Sequence, residues 1–233
     1  MKKQISWIAF LTLTAVLKVS AGDVSGTVTL KGTPPPEKDL PLDAKCGELH
    51  KSAAKTRFYV VNDKAQLADV IVAIKGAKGG GSGASATPVV VDQVGCEYVP
   101  YVFAIQAGQK IQVHNSDPFM HNVHFMPSDS SKEANKAQMP KSSDLEFGYN
   151  KAENFAKFKC DVHPWMFAYF SVFDHPYFAV TGKDGSYKIA NVPPGKYTLE
   201  FYHRKAAPAA SPITKEIEVK DSATTADIVL EVK

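Results

Sequence analysis

Motifs that define several common enzyme and binding classes are missing from this sequence of 233 residues. It contains no phosphate-binding glycine loop and no nucleophile–base–acid arrangement of the kind found in hydrolases. It also lacks the Cys-x-x-Cys-His motif, which excludes covalent attachment of haem c. We therefore expect a protein that is not an enzyme.

An excess of positive charge is also missing once the first residues are set aside. The sequence has 27 Lys and Arg residues and 24 Asp and Glu residues, giving a formal net charge of +3. Residues 1–21 contain Lys2, Lys3 and Lys18 and no acidic residue, so the remainder has a net charge of 27 − 3 − 24, or zero. A neutral chain offers no electrostatic footprint for nucleic acid, and we expect no nucleic-acid partner.

Long hydrophobic runs are scarce. The longest apolar stretch, from Ile5 to Val19, is shorter than the 18 or more residues that a spanning helix needs, and it contains Thr and Ser. It follows two lysines and ends in Val19-Ser20-Ala21, which has small residues where a signal peptidase cleaves. Residues 1–21 are therefore predicted to be a signal peptide, the protein to be periplasmic or secreted, and no membrane span to remain after cleavage.

Cysteine is rare, and its number is odd. Three cysteines in an exported protein suggest one disulfide and one free thiol. Cys46 and Cys96 lie in turn-like surroundings without nearby metal ligands, whereas Cys160 has such neighbours. We predict a Cys46–Cys96 disulfide; two separate free thiols are the alternative.

Helical periodicity is weak, and strand-like alternation recurs along the chain. It is seen from Val24 to Leu30, from Asp69 to Ile74 and from Pro88 to Asp92, with Gly and Pro between such segments. Short strands separated by turn residues are typical of β-sandwiches and barrels. The fold class is predicted to be all-β.

One segment carries the ligands of a metal site. The sequence Cys160-Asp-Val-His163-Pro-Trp-Met166 supplies a thiolate, an imidazole and a thioether, and His121 or His124 lies about forty residues upstream. Two histidines, one cysteine and a weak axial methionine form a mononuclear blue-copper site, whereas zinc has little use for a thioether. Side chains three positions apart in a strand face opposite sides, which favours His121 over His124.

Residues 89–173 resemble the cupredoxins, and their ligand loops are most similar to those of amicyanin. The resemblance is carried by the turn and strand from Ala107 to Val113, by Asn115-Ser116-Asp117, by the His-Asn-Val-His segment and by the short Cys-x2-His-x2-Met spacing. It implies a cupredoxin-like Greek-key β-sandwich over residues 88–175. It also implies that Asn122 ties the two ligand loops together beside the metal. The implied ligands of one type 1 copper are His121, Cys160, His163 and Met166.

The C-terminal part resembles the carboxypeptidase regulatory-like, transthyretin-like β-sandwich. The resemblance is carried by the Asp184-Gly185 turn and by Pro193-Pro194-Gly195 before Tyr197. The strand from Ser25 to Val28 is like the opening strand of that family. Residues 22–87 and 176–233 are therefore predicted to form one sandwich around the inserted copper domain; two domains in series are the alternative. The glycine-rich tract 76–86 is expected at the first border; a hairpin loop is the alternative.

These patterns together predict an exported one-electron carrier that is a monomer. Its expected partner is a redox protein such as a c-type cytochrome or a membrane redox enzyme, and the cupredoxin resemblance implies that His163 offers its ring edge at an apolar patch. The alternative is a non-enzymatic copper-binding or cell-surface module that binds carbohydrate or another partner. An oxidase or nitrite reductase is disfavoured, because the chain lacks the His-x-His motifs of further copper centres.

Overall fold

The computed structural model describes residues 21–77, 85–208 and 210–232. The predicted signal peptide lies outside these ranges except for Ala21, and so do residues 78–84 of the glycine-rich tract. None of the helices in the described ranges has the length and apolar character of a membrane span.

The described residues form seventeen strands, one short helix and one turn of 3₁₀ helix, so the predicted all-β class is confirmed. The helix α1 spans Ala44–Gly47, and the 3₁₀ turn spans Ser130–Lys132. The strands of the first half are β1 Gly22–Lys31, β2 Ile71–Ile74, β3 Val89–Val94, β4 Glu97–Val99, β5 Val102–Gln106, β6 Lys110–Asn115, β7 His121–Met126 and β8 Ala134–Gln138. Those of the second half are β9 Leu145–Gly148, β10 Glu153–Lys159, β11 Phe167–Phe173, β12 Phe178–Val180, β13 Ser186–Val192, β14 Gly195–Tyr202, β15 Ile213–Val219, β16 Thr224–Thr225 and β17 Ile228–Glu231.

Strands β3 to β11 form a sandwich of two sheets with a core of its own. One sheet has the order β5-β11-β10-β7-β8 and the other β4-β3-β6-β9. Alternation along β10 buries Ala156 and Phe158, while Lys157 and Lys159 are partly exposed. Cys160 follows on the buried face, 1 % exposed, so the end of β10 brings this thiol into the core.

The remaining strands form a second sandwich that joins the two ends of the described chain. Its sheets have the orders β13-β1-β16, with β17 also paired to β1, and β12-β2-β14-β15. Strand β1 pairs antiparallel with β13, with Val24 opposite Ile189, although these residues are far apart in sequence. Val24, Ile189 and Phe201 belong to one hydrophobic core between the two sheets.

The Asp184-Gly185 turn before β13 is held against the N-terminal strand. Gly185 has a φ of +66°, and a Cβ there would lie 2.6 Å from the carbonyl oxygen of Val28. Only glycine meets both requirements without displacing the backbone. The likeness of this sandwich to transthyretin-like domains, and the domain limits 22–87, 88–175 and 176–233, stay predictions.

A small apolar cluster connects the two sandwiches. Ile71 and Ala73 of β2 pack with Val102 of β5, Phe173 of β11 and Tyr202 of β14. All five are buried. The two sandwiches therefore share a packed contact, which also brings residues after β14 close to the loops of the β3–β11 sandwich.

Candidate metal centre

The segment between β10 and β11 is a tight loop that folds His163 back towards Cys160. The Cys160 N–H donates to the carbonyl of Met166 at 3.1 Å, and the Met166 N–H donates to the carbonyl of His163 at 2.9 Å. These two bonds close the loop on itself. The short spacing and these backbone hydrogen bonds therefore bring three predicted ligands, Cys160, His163 and Met166, into one tight loop.

Three predicted ligand residues meet in the core of the β3–β11 sandwich. His121 begins β7 and is completely buried, and its Nδ1 lies 2.9 Å from Nδ1 of His163. The Cys160 Sγ lies 3.6 Å from the same His163 nitrogen. One ligand atom from each residue falls within 4.8 Å of the other two. Met166, 1 % exposed, belongs to the same buried cluster as Cys160.

Asn122 connects the two ligand-bearing segments, as the cupredoxin resemblance implies. Its Oδ1 accepts hydrogen bonds from the N–H groups of Asp161 at 2.6 Å and Val162 at 3.3 Å, and it lies 3.3 Å from the Cys160 sulfur. Asn122 follows His121 directly, so each contact fixes the ligand loop relative to β7.

The surroundings of Cys160 favour its thiolate form. Burial raises the pKa of the thiol, but a hydrogen bond from the His121 side chain and bonds from nearby backbone N–H groups outweigh burial and lower the pKa. Those backbone groups belong to Asn122, Val162 and His163. A thiolate is the form of cysteine that binds metals.

A carboxylate beside His121 is the functional residue that sequence reasoning missed. Asp117 Oδ2 lies 2.8 Å from His121 Nε2, and both groups are buried. Its oxygens also accept the N–H groups of Gly95 and Cys96, each at 2.7 Å. A hydrogen bond at Nε2 orients the imidazole and leaves Nδ1 for a metal. The only sequence signal was Asn115-Ser116-Asp117, which the cupredoxin resemblance included without giving Asp117 a role.

The charges of this pair reinforce each other. Burial opposes both ionised forms, yet the hydrogen bond from His121 and the two backbone N–H groups lower the pKa of Asp117. Burial would lower the pKa of His121, but the Asp117 carboxylate and the Cys160 thiolate together outweigh burial and raise it to about 9. Asp117 is therefore an ionised carboxylate at neutral pH, and two backbone N–H groups hold it in place beside His121.

The structure joins Cys46 to Cys96 in a disulfide, with Cα atoms 5.7 Å apart and a sequence separation of 50. Both cysteines are fully buried, and their sulfurs lie within 4.8 Å of a ring nitrogen of His163. The Trp165 Nε1–H donates to the Cys96 carbonyl at 3.2 Å. The disulfide thus connects α1 to the turn after β3 directly beside the ligand loop.

This arrangement differs from the expected exposed edge of His163. The residue is only 6 % exposed, and Asp43 Oδ2 approaches its Nε2 at 3.9 Å. The segment around α1 covers the ring because the disulfide holds that segment against the loop. Sequence motifs of the β3–β11 region contain no information about this cover, since it comes from residues 43–46.

The other histidines have separate partners. His124 faces away from His121 and lies between the carboxylates of Asp161, at 2.9 Å, and Glu133. His114 pairs with Asp144 at 2.6 Å on the surface. Within the described part of the chain, the histidines outside every cluster of three or more metal-ligating side chains are His50, His114, His124, His175 and His203.

Comparisons with known proteins give partial likenesses. No protein-family profile and no curated protein sequence matches the chain. A Cu-containing nitrite reductase from Thermus scotoductus is 19 % identical over 42 % of this chain, with a TM-score of 0.34, and the chain covers 25 % of that enzyme. A purple cupredoxin from Nitrosopumilus maritimus is 19 % identical over 36 % of this chain and 99 % of its own, with a TM-score of 0.31.

Amicyanin from Paracoccus versutus is 23 % identical over 38 % of this chain and 84 % of its own, with a TM-score of 0.33. Each likeness involves less than half of this chain, and the chain spans about a quarter of the length of the nitrite reductase. The functional conclusion therefore depends on the geometry of the site.

Proposed function

We propose that this protein is an exported copper protein that carries one electron at a time. The observation that supports it is the buried cluster of His121, Cys160 and His163, whose ligand atoms converge within 4.8 Å. These three residues would be the strong trigonal ligands of one type 1 copper, and Met166 would be the long axial ligand.

The donor set fits copper better than zinc. One thiolate, two imidazoles and a thioether match a site that must accommodate both Cu(I) and Cu(II), whereas structural zinc sites are built from four Cys or His ligands. When bound, copper would supply reversible one-electron chemistry. Asp117 holds the His121 imidazole, Asn122 holds the ligand loop against β7, and burial of the ligands excludes water.

The remaining parts of the proposal follow from this role. No catalytic residue is assigned, and the partner would be a redox protein such as a c-type cytochrome or a membrane redox enzyme. The protein would act as a monomer in the periplasm or outside the cell after removal of residues 1–21.

A second function, a copper-binding module that exchanges no electrons, is favoured by one observation. His163 is 6 % exposed and lies under the disulfide-linked segment, so its ring edge is not open to a partner. Stopped-flow mixing of the reduced copper protein with an oxidised c-type cytochrome separates the two functions. Rapid cytochrome reduction supports the carrier, and its absence supports the module.

Adding Cu(II) to the metal-free protein tests the copper site itself. We expect an intense visible absorption from thiolate-to-copper charge transfer and an EPR spectrum of one copper per chain. Cys160→Ser should abolish the colour while the protein stays folded. A colourless copper complex of the unmodified protein would remove the proposal.

A further inference from the structure

A cavity of about 330 Å³ lies against the outer side of the ligand loop. Its lining includes the aromatic side chains of Tyr101, Trp165, Phe167 and Tyr169. This volume is at the lower end of the range of small-molecule pockets, and aromatic side chains are typical of their linings. The cavity holds no predicted metal ligand, so the proposed copper site does not account for it.

Two guanidinium groups line the same cavity, and their environments differ. Arg57 forms an ion pair with Glu97 at 3.1 Å, and Glu97 also lines the cavity. Arg204 forms no ion pair among the residues of the described ranges. Its guanidinium carbon lies 3.5 Å from the ring centroid of Tyr169, and it donates a hydrogen bond to the Tyr101 hydroxyl.

Two further charged groups lie in or near the cavity. Lys55 lies at the exposed rim, 4.0 Å from the carboxylate of Asp39. The partly buried carboxyl of Asp69 is influenced by Arg57 and Arg204, but burial dominates and raises its pKa to about 6, so it is mainly ionised at neutral pH. Glu97 is paired with Arg57, whereas no carboxylate of the described residues lies within ion-pair distance of Arg204, so this guanidinium is available to an anionic group of a ligand.

The shape and charge define the ligand class. Aromatic walls favour a flat apolar body, and a guanidinium fixed on a ring face presents its N–H donors in a planar fork that matches a carboxylate. We propose that this cavity binds a small aromatic monocarboxylate, with its carboxylate on Arg204 and its ring against the aromatic side chains of the lining.

Only the side chain of Trp165 would separate such a ligand from the candidate metal centre. Trp165 contacts the cavity on one side, and on the other its ring centroid lies 5.3 Å from that of His163. Trp165 also donates to Cys96, so the wall of the cavity is fixed by the disulfide turn. The cavity combines residues from both sandwiches, which explains why neither sequence resemblance indicated it.

Isothermal titration of the full chain with benzoate tests this inference. We expect saturable binding of one benzoate, and weaker binding by about tenfold or more for benzamide, which has the same shape without the charge. Cyclohexanecarboxylate, which has the charge without the aromatic ring, should also bind more weakly. Equal affinities for benzoate and benzamide, or no saturable binding, would overturn the proposal.

A pair of charge-matched variants locates the site. Arg204→Gln should weaken benzoate binding by about tenfold or more, whereas Lys188→Gln, which removes an exposed charge on β13, should leave it unchanged. Arg204→Lys retains the charge and should bind benzoate better than Arg204→Gln does. Circular dichroism establishes that each variant is folded, and unchanged benzoate affinity in folded Arg204→Gln refutes the site.

Metal-free and copper-loaded protein should bind benzoate alike, since no cavity contact involves a metal ligand. A failure of the copper proposal therefore leaves this test intact, and a failure to bind benzoate leaves the copper proposal untouched. Trp165 gives a second readout: the other tryptophan, Trp7, lies in residues 1–21, so in protein without that segment Trp165 is the only tryptophan, and benzoate should change its fluorescence.

Discussion

The Nδ1 atoms of His121 and His163 lie 2.9 Å apart, although the two residues are 42 positions apart in sequence. One ring reaches this position from the start of β7, and the other from the loop after β10. Each has its own support, because Asp117 holds Nε2 of His121 and the loop hydrogen bonds hold His163. Two imidazole nitrogens at this distance, beside a thiol with a lowered pKa, form a preorganised pair of ligands.

The two histidines of the His-Asn-Val-His segment should respond differently to the same change. His121→Gln removes a nitrogen of the buried cluster, and we expect the charge-transfer absorption to disappear and copper affinity to fall by at least about 100-fold. His124→Gln should leave both unchanged, because His124 faces Asp161 and Glu133 instead. Copper titration followed by absorbance measures both variants. Loss of the absorption in His124→Gln would contradict the assignment.

Removing the disulfide should have two effects. The bond closes a loop of 50 residues, so Cys46→Ser combined with Cys96→Ser should lower the free energy of unfolding by about 4 kcal/mol in the chain-entropy account. It should also free the segment that covers His163, so that a chelator removes copper faster. Urea unfolding and the rate of chelation measure the two effects.

Cys160→Ser is the control for the stability effect, since it removes a thiol but keeps the disulfide. A double variant as stable as the unmodified protein would show that the cover is held by other contacts.

His203 should make the folded state less stable in mild acid. Burial, with a smaller contribution from Arg204, lowers the pKa of this imidazole from 6.5 to about 4, and its Nδ1 accepts the Ala206 N–H at 3.1 Å. The unfolded chain therefore binds the proton first, and stability falls as the pH falls from about 6.5 to 4. The loss is at most roughly 3 kcal/mol.

Urea unfolding of His203→Gln across this pH range should show a weaker pH dependence than the unmodified protein does. His114→Gln is the matched control, because hydrogen bonding to Asp144 raises the pKa of exposed His114. Its contribution has the opposite sign: it is present at low pH and is lost as the pH rises through the folded-state pKa. Equal pH dependence in His203→Gln and the unmodified protein would show that His203 is not the titrating group.

The phenylalanine cluster in the same core as the candidate metal centre should be the most sensitive part of the β3–β11 core. Phe158 is completely buried and packs its ring 5.4 Å from that of Phe170 and 5.3 Å from that of Phe125. Phe158→Ala should lower the free energy of unfolding by about 3–5 kcal/mol. Val162→Ala, at a residue 50 % exposed, should change it by less than about 0.5 kcal/mol. Thermal and urea unfolding compare the two.

The parts of the fold and site that depend on near neighbours in sequence could be predicted. Strand alternation placed Phe158 and Cys160 on one buried face and His124 opposite His121, because side-chain direction in a strand depends only on parity. The spacing from Cys160 to Met166 likewise involves only near neighbours in sequence, and it indicated a compact ligand loop.

Parts that depend on distant residues could not be predicted. The cover over His163 requires the packing of residues 43–46 on a loop more than a hundred positions away, and Arg204 reaches Tyr101 across 103 positions. Cysteine counting suggested the Cys46–Cys96 pair but not its place beside His163. Asp117 lies in the Asn115-Ser116-Asp117 segment, but no sequence pattern distinguished this aspartate from one in a surface turn.

The pairing of Val24 with Ile189 has a consequence for how the chain reaches its native state. Strand β1 can pair with β13 only when most of the chain is present. Closing the long loop between these two strands has an entropic cost in the unfolded chain. Strands β3 to β11 pair only with one another, and once they have formed they bring the ends of β2 and β12 together. Refolding should therefore proceed from the middle outward, with the ligand cluster assembled before the two ends meet.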